Sequence, residues 1–156
     1  MPPMRALAAP PFERFYAEHR EEIYRYLVRM LGRDSAEDAF QETFLRALRA
    51  YSSLRHADNL RAWVFTIATR VALDERRRAR PTGDLPEVPH VDSRPAYAEL
   101  EHLSNDLPRR ERAAVVLRYG YDLPYADIAA ALGGTEEAAR QAASSGVRRL
   151  RRKETP

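Results

Sequence analysis

Apolar residues recur along most of this chain at helical spacing. Between Pro11 and Gly32 the stripe Phe12, Phe15, Tyr16, His19, Ile23, Tyr26, Leu27, Met30 predicts a helix over residues 12–31. Ser35-Ala36-Glu37-Asp38 then reads as a capping-box-like start with acids in the first turn, for a helix running to about Tyr51. On that helix Ala36, Ala39, Phe40, Thr43, Phe44, Ala47 and Tyr51 share one face, and Asp38, Gln41, Glu42, Leu45 and Arg49 share the other. Leu45 is an apolar residue on a charged face, which suits an ordinary exposed leucine or a docking surface. From Asp58 to Arg80 there is no proline or glycine, and Leu60, Val64, Ile67 and Val71 form a third stripe. Asp58 or Asn59 can cap this helix, and Arg76, Arg77, Arg78 and Arg80 crowd its end, where the helix dipole favours cations. Trp63 flanks the stripe while Phe65 and Leu73 fall opposite it, which predicts burial on two sides in a three-helix bundle.

The pattern then breaks. Residues 81–95 carry Pro81, Gly83, Pro86, Pro89 and Pro95 among scattered acids and read as an extended linker. A new pattern starts near Ala96 with Tyr97, Leu100, Leu103 and Leu107. Pro108 suits the first turn of a helix holding Ala113, Val115, Val116 and Leu117 and closed by Gly120. Pro124 opens a short helix, YADIAAAL; Gly133-Gly134 turns the chain, Thr135 caps, and a last helix runs to about Arg152. A short helix, a glycine turn and a longer basic helix are the signature of a helix-turn-helix. On the last helix Ala138, Ala139, Ala142, Ala143, Gly146, Val147 and Leu150 make an inner stripe of mostly small residues. Glu137, Arg140, Gln141, Ser144, Arg148 and Arg151 face outward, and arginine and glutamine are residues that read base edges. The expected fold is all-α, with a tail (1–11), a helical domain (12–80), a linker (81–95) and a helix-turn-helix domain (96–153).

Charge sharpens this division. The 156 residues carry a net charge of +3, and arginine supplies nearly all the basicity, since Lys153 is the only lysine. Residues 1–80 hold 15 arginines against 11 acids, residues 81–106 one against six, and residues 107–156 ten basic residues against six acids. Two basic blocks around an acidic middle point to two modules that meet phosphates. There is no cysteine, hence no disulfide, thiol nucleophile or Cys-ligated zinc. The histidines His19, His56, His90 and His102 form no HExxH, and the lone Glu99-x-x-His102 lacks the further carboxylates of a di-metal site. No phosphate-cradling glycine loop or nucleophile elbow occurs. These features predict a non-enzymatic protein with no catalytic residues, metal, cofactor or small-molecule substrate. The proline-broken start and the absence of an apolar run near ~18 residues predict a cytoplasmic chain with no membrane insertion.

In order and at their spacings, SAEDAFQETFLRALRAY, NLRAWVFTIATRVALDERRR and LPRRERAAVVLRYGYDLPYADIAAALGGTEEAARQ resemble a bacterial RNA polymerase sigma factor of the extracytoplasmic-function type. The resemblance covers nearly the whole chain. It implies two helical domains, region 2 and region 4, on a flexible linker, and a protein that recruits core RNA polymerase to promoters and opens the DNA. By the same resemblance Asp38, Gln41, Glu42, Leu45 and Arg46 match the surface for the polymerase β′ clamp helices, with the β flap as a further contact. Residues of the loop Ser52–Asn59 (Ser52, Ser53, Arg55, His56, Asn59) match the segment that captures a flipped −10 base, an unstacked base needing polar edges or stacking. Arg61, Arg70, Arg77 and Arg78 would contact −10 DNA, mainly its phosphates. Thr135, Glu137, Arg140, Gln141, Ser144 and Arg148 match the helix that reads the −35 element. An anti-sigma factor is an implied partner. This chain departs from close relatives in carrying Ala142 and Ser145 in place of arginines and Ala143 in place of a larger apolar residue, which implies weak or unusual −35 binding. Two further readings are a sigma-like decoy that sequesters an anti-sigma factor and a plain helix-turn-helix regulator.

Overall fold

The structure is a computed structural model that describes residues 9–54, 57–78 and 107–154. The expected linker, the helix start at Ala96 and the residues Arg55 and His56 lie outside the described residues, as do the side chains of Arg77 and Arg78.

The first stripe forms α1 (Phe12–Leu31), with Pro11 extended before it and Gly32 at φ +84 after it. α2 (Arg33–Tyr51) starts two residues before the expected Ser35, and no capping box forms. Gly32 ends α1 and opens α2 at once: its carbonyl accepts the Ala36 amide at 3.0 Å, leaving Ser35 inside the first turn, where it has no capping role. α3 (Leu60–Arg78) begins as expected, with the Asn59 Oδ1 accepting the Ala62 amide at 3.3 Å.

These helices close over Phe15, Ile23, Leu27, Met30, Phe44, Val64 and Val71, all buried. Trp63, half-buried, stacks beside Phe15 at 5.7 Å, and Tyr51 meets both rings, so the tryptophan belongs to the bundle's aromatic cluster. Tyr26 and Thr69 bring polar groups into this core. The Tyr26 hydroxyl hydrogen-bonds Thr69 Oγ1 at 2.7 Å, and Thr69 bonds onward to the Phe65 carbonyl, so no polar atom is stranded. Burial pushes the Tyr26 phenol well up from its ordinary value and holds it protonated.

The C-terminal unit comprises α4 (Arg109–Val115), which widens into a π-helical turn over Val116–Gly120, then α5 (Tyr125–Leu132) and α6 (Glu136–Glu154). Gly133 takes the left-handed conformation and Thr135 Oγ1 accepts the Ala138 amide at 3.0 Å, so the helix-turn-helix is built as its sequence predicts. The small stripe on α6 serves close approach: a Cβ on Gly146 would lie 2.5 Å from Val115 Cγ2. Ala138, expected in that stripe, is exposed, because it sits in the first turn ahead of the point where α6 meets α4. Of the stripe Tyr97, Leu100, Leu103 and Leu107 only Leu107 is described, buried against Val115 and Leu150.

The two expected helical units are present, and they pack on each other. One continuous core runs from α1–α3 into Leu117, Leu123 and Ile128 of the C-terminal unit, and α5 lies against α3. That contact explains the second buried side of α3, where Phe65 is covered by Tyr121 at 5.0 Å between ring centroids.

Candidate functional site

Three surfaces carry the residues of interest. The first is the solvent face of α2. Asp38 and Gln41 are exposed, Glu42 and Arg46 are joined by an i,i+4 ion pair of 2.8 Å, and Leu45 stands 45% exposed. One turn on, Leu48 is 52% exposed, a residue absent from the sequence expectation. Its i,i+3 spacing from Leu45 was the available signal. Two adjacent leucines that stay out of the core, ringed by Gln41, Glu42 and Arg49, form an apolar anchor inside a polar rim.

The second surface is the end of the α2–α3 loop and the start of α3. Ser52 and Ser53 are exposed on the turn after α2, and Asn59 caps α3. Arg61 and Arg70 lie on α3, but their donors face other parts of this chain. Arg61 Nη2 sits 2.7 Å from Glu22 Oε1 and 2.8 Å from the Tyr121 carbonyl, and its guanidinium lies over Phe65. Arg70 Nη2 donates to the Ala130 carbonyl at 3.1 Å, and Asn59 Nδ2 approaches Asp127 Oδ2 at 3.4 Å. The structure therefore gathers Asn59, Arg61 and Arg70 into one strip, and it places that strip against the C-terminal unit.

The third surface is the outer face of the helix-turn-helix. Thr135, just before α6, and Glu137, Arg140, Gln141, Ser144 and Arg148, along its N-terminal two-thirds, are all exposed. Arg140 is held from two directions. Its Nη2 pairs with Glu136 at 2.9 Å, and its guanidinium lies 5.1 Å from the ring of Tyr125, the first residue of α5. Arg118 approaches the same ring at 4.3 Å while donating to the Leu123 carbonyl. Tyr125 was not singled out from sequence, because a residue next to Pro124 gives no periodic signal of what α6 brings beside it. Of the three departures, Ala143 is buried and Ala142 packs half-buried on the core, so both are committed to packing against the α4–α5 side. Ser145 is half-buried and its Oγ accepts from Arg148 at 3.3 Å.

Electrostatics at these surfaces is set by arginine and acid pairs. Among the described residues the only histidine is His19, on α1 near Arg61 and Glu22; burial is the main cause that lowers it from its ordinary value. Among the described residues no group of three potential metal ligands occurs, and no helix is long and apolar enough to cross a membrane.

Two family profiles match this chain. The Sigma-70 region 2 family profile matches residues 15–82, and the Sigma-70, region 4 profile matches residues 105–152. The chain is 33% identical to the ECF RNA polymerase sigma factor BldN of Streptomyces coelicolor, over 92% of this chain and 60% of that protein. It is 32% identical to the ECF RNA polymerase sigma factor SigM of Mycobacterium tuberculosis, over 90% of this chain and 76% of that one. Among solved structures it superposes on the sigma factor RpoE of Bartonella quintana, determined with the anti-sigma factor NepR. The TM-score is 0.75 at 22% identity, over 90% of this chain and 94% of that one.

Proposed function

The chain belongs to the extracytoplasmic-function family of RNA polymerase sigma factors, group 4 of the sigma-70-like superfamily, and from that premise we propose that it brings core RNA polymerase to promoters through −10 and −35 DNA. Sigma factors are not enzymes, so the surfaces above are read as binding surfaces. The observation that carries the reading is the coincidence of the two family matches with two helical units that each present the matching residues.

In this reading α2 docks on the β′ clamp helices through Leu45 and Leu48, with Asp38, Gln41, Glu42 and Arg46 as the polar rim. The turn at Ser52 and Ser53, with Arg55 and His56 beyond it, receives an unstacked −10 base, and Asn59, Arg61, Arg70, Arg77 and Arg78 meet the DNA around it. Arg140 and Gln141 reach base edges of the −35 element, Glu137 and Ser144 line the same groove, and Thr135 and Arg148 meet its backbone. The β flap contacts region 4. Because the chain spans 60% of the length of its BldN relative, the activity of that whole protein is carried over as part of the proposal. An anti-sigma protein is a further proposed partner, by likeness to the RpoE–NepR structure.

Run-off transcription with purified core polymerase, followed by sequencing of RNA 5′ ends made when the chain is overproduced, tests the reading. Aligned start sites preceded by two shared elements are expected. Absence of any promoter-dependent product overturns it. A plain helix-turn-helix repressor would leave the exposed leucine pair of α2 without a partner, and failure to co-purify with core polymerase would favour that reading.

A further inference from the structure

An acid stands beside one of the arginines proposed to meet −10 DNA. Glu22 of α1 accepts from Arg61 of α3 through a single oxygen, Oε1, which takes Nε at 3.0 Å and Nη2 at 2.7 Å. The two residues are 39 positions apart, so helical spacing gives no hint of the pair. Packing creates it: Ile23 follows Glu22, Ala62 follows Arg61, both of these neighbours are buried, and α1 packs on α3. The guanidinium also lies 5.3 Å from the ring of Phe65, which is fully buried and meets Tyr26 edge to face at 5.3 Å. Tyr26 is pinned in turn by its hydrogen bond to Thr69. A carboxylate at one edge and a rigid ring beneath therefore fix the plane of this cation.

A guanidinium has two edges that can each meet an oxyanion with a pair of donors. Glu22 takes the side-on edge, Nε and Nη2. The end-on edge, Nη1 with the second hydrogen of Nη2, is turned away from Glu22. Nη1 has no partner among the described residues, and Nη2 donates to the Tyr121 carbonyl at 2.8 Å, which marks the place of an oxygen acceptor. The Arg61 side chain is 38% exposed, so that edge is within reach of a ligand. Arg70, on the same strip, has neither an acid nor a ring beside it among the described residues. By charge alone, a carboxylate on a surface that meets phosphates opposes binding. Its return is order: an arginine loses rotamer freedom when it grips a phosphate, and one already held in plane has less to lose. We infer that Glu22 is a positioning residue for the −10 contact: it clamps Arg61 over Phe65 so that the end-on edge is aimed at a backbone phosphate of the −10 strand. This rests on the sigma-factor reading above and adds a residue to it.

The test uses holoenzyme assembled from the full chain and core polymerase. Its ligand is the fluorophore-labelled non-template −10 strand of a promoter mapped by the run-off experiment, titrated at fixed salt. Two substitutions separate charge from geometry. Glu22→Gln removes the charge and keeps an oxygen acceptor, and it is expected to bind the strand as tightly as the parent, within about twofold, or more tightly. Glu22→Ala removes both, and it is expected to weaken binding about threefold to fivefold, the size of a coupling between groups in contact, although it too sheds a negative charge. In an Arg61→Ala background, Glu22→Ala is expected to cause no weakening. Circular dichroism confirms that each variant is folded, and Glu22→Leu, which also lacks an acceptor, replaces the alanine if that variant is not. Equal effects of glutamine and alanine overturn the inference, as do unchanged binding by Glu22→Ala, unchanged binding by Arg61→Ala, or the same loss with and without Arg61. Failure of the unmodified chain to yield any run-off product overturns the functional reading instead.

Discussion

Tyr125 lies under the guanidinium of Arg140, the arginine proposed to read a −35 base. With Arg118 and Arg140 both over its ring and Glu136 on the far side of Arg140, the guanidinium is ordered before DNA arrives. A cation–π contact at an exposed site is worth about 0.5–1 kcal/mol. Tyr125→Ala is therefore expected to weaken binding to the −35 duplex several-fold and to reduce discrimination against a substituted base, while Tyr125→Phe keeps both. Fluorescence titration at fixed salt measures this. His19 illustrates a different residue-scale effect. Its folded value lies below 6.5 because burial disfavours the imidazolium. The unfolded chain thus binds the proton more readily as pH falls below about 6.5, and stability contributed at neutral pH declines there. Denaturant melts at pH 7.5 and 5.5 should show a smaller loss for His19→Gln than for the parent chain.

At the scale of elements, α2 and α6 show how a helix divides its faces. On α2, Leu45 and Leu48 make no core contribution, so replacing both by alanine should leave the thermal midpoint within a few degrees and weaken core-polymerase binding tenfold or more, as measured by co-elution or surface plasmon resonance. Equal binding would remove the docking role. On α6 the opposite holds. Gly146 lets the helix approach Val115 and the Glu111 carbonyl, and Gly146→Ala forces them apart. Overpacking of this kind costs about 1–3 kcal/mol, and a calorimetric scan should show a lower midpoint. Element boundaries were legible wherever proline or glycine punctuates the chain, as at Pro11, Pro124 and Gly133. The α2 start was misplaced because Ser35-Ala36-Glu37-Asp38 imitates a capping box, whereas Gly32 alone separates two helices and leaves no room for one.

For the molecule as a whole, the decisive fact is that one core joins both regions. Unfolding of the chain should then be a single cooperative transition, with calorimetric and van't Hoff enthalpies equal. Tyr121→Ser, which detaches Tyr121 from Tyr26 and Phe65, should split it into two or lower its cooperativity. The sequence by itself determined the all-α class, the helix-turn-helix, the two matching regions and most surface residues on α2 and α6. These depend on periodicity, capping and turn chemistry, which act over a few residues. What only the tertiary structure decided are the contacts between segments far apart in the chain. The second buried face of α3 was expected from Phe65, but what covers it, Tyr121, lies 56 positions later. Arg61 and Arg70 looked like free phosphate ligands, and folding turned their donors onto carbonyls of region 4. Tyr125 gained its role from α6, and Leu48 stood out once the core had left it exposed. Helical spacing fixes which face a residue shares, but which neighbour fills that face is set by packing across the whole chain.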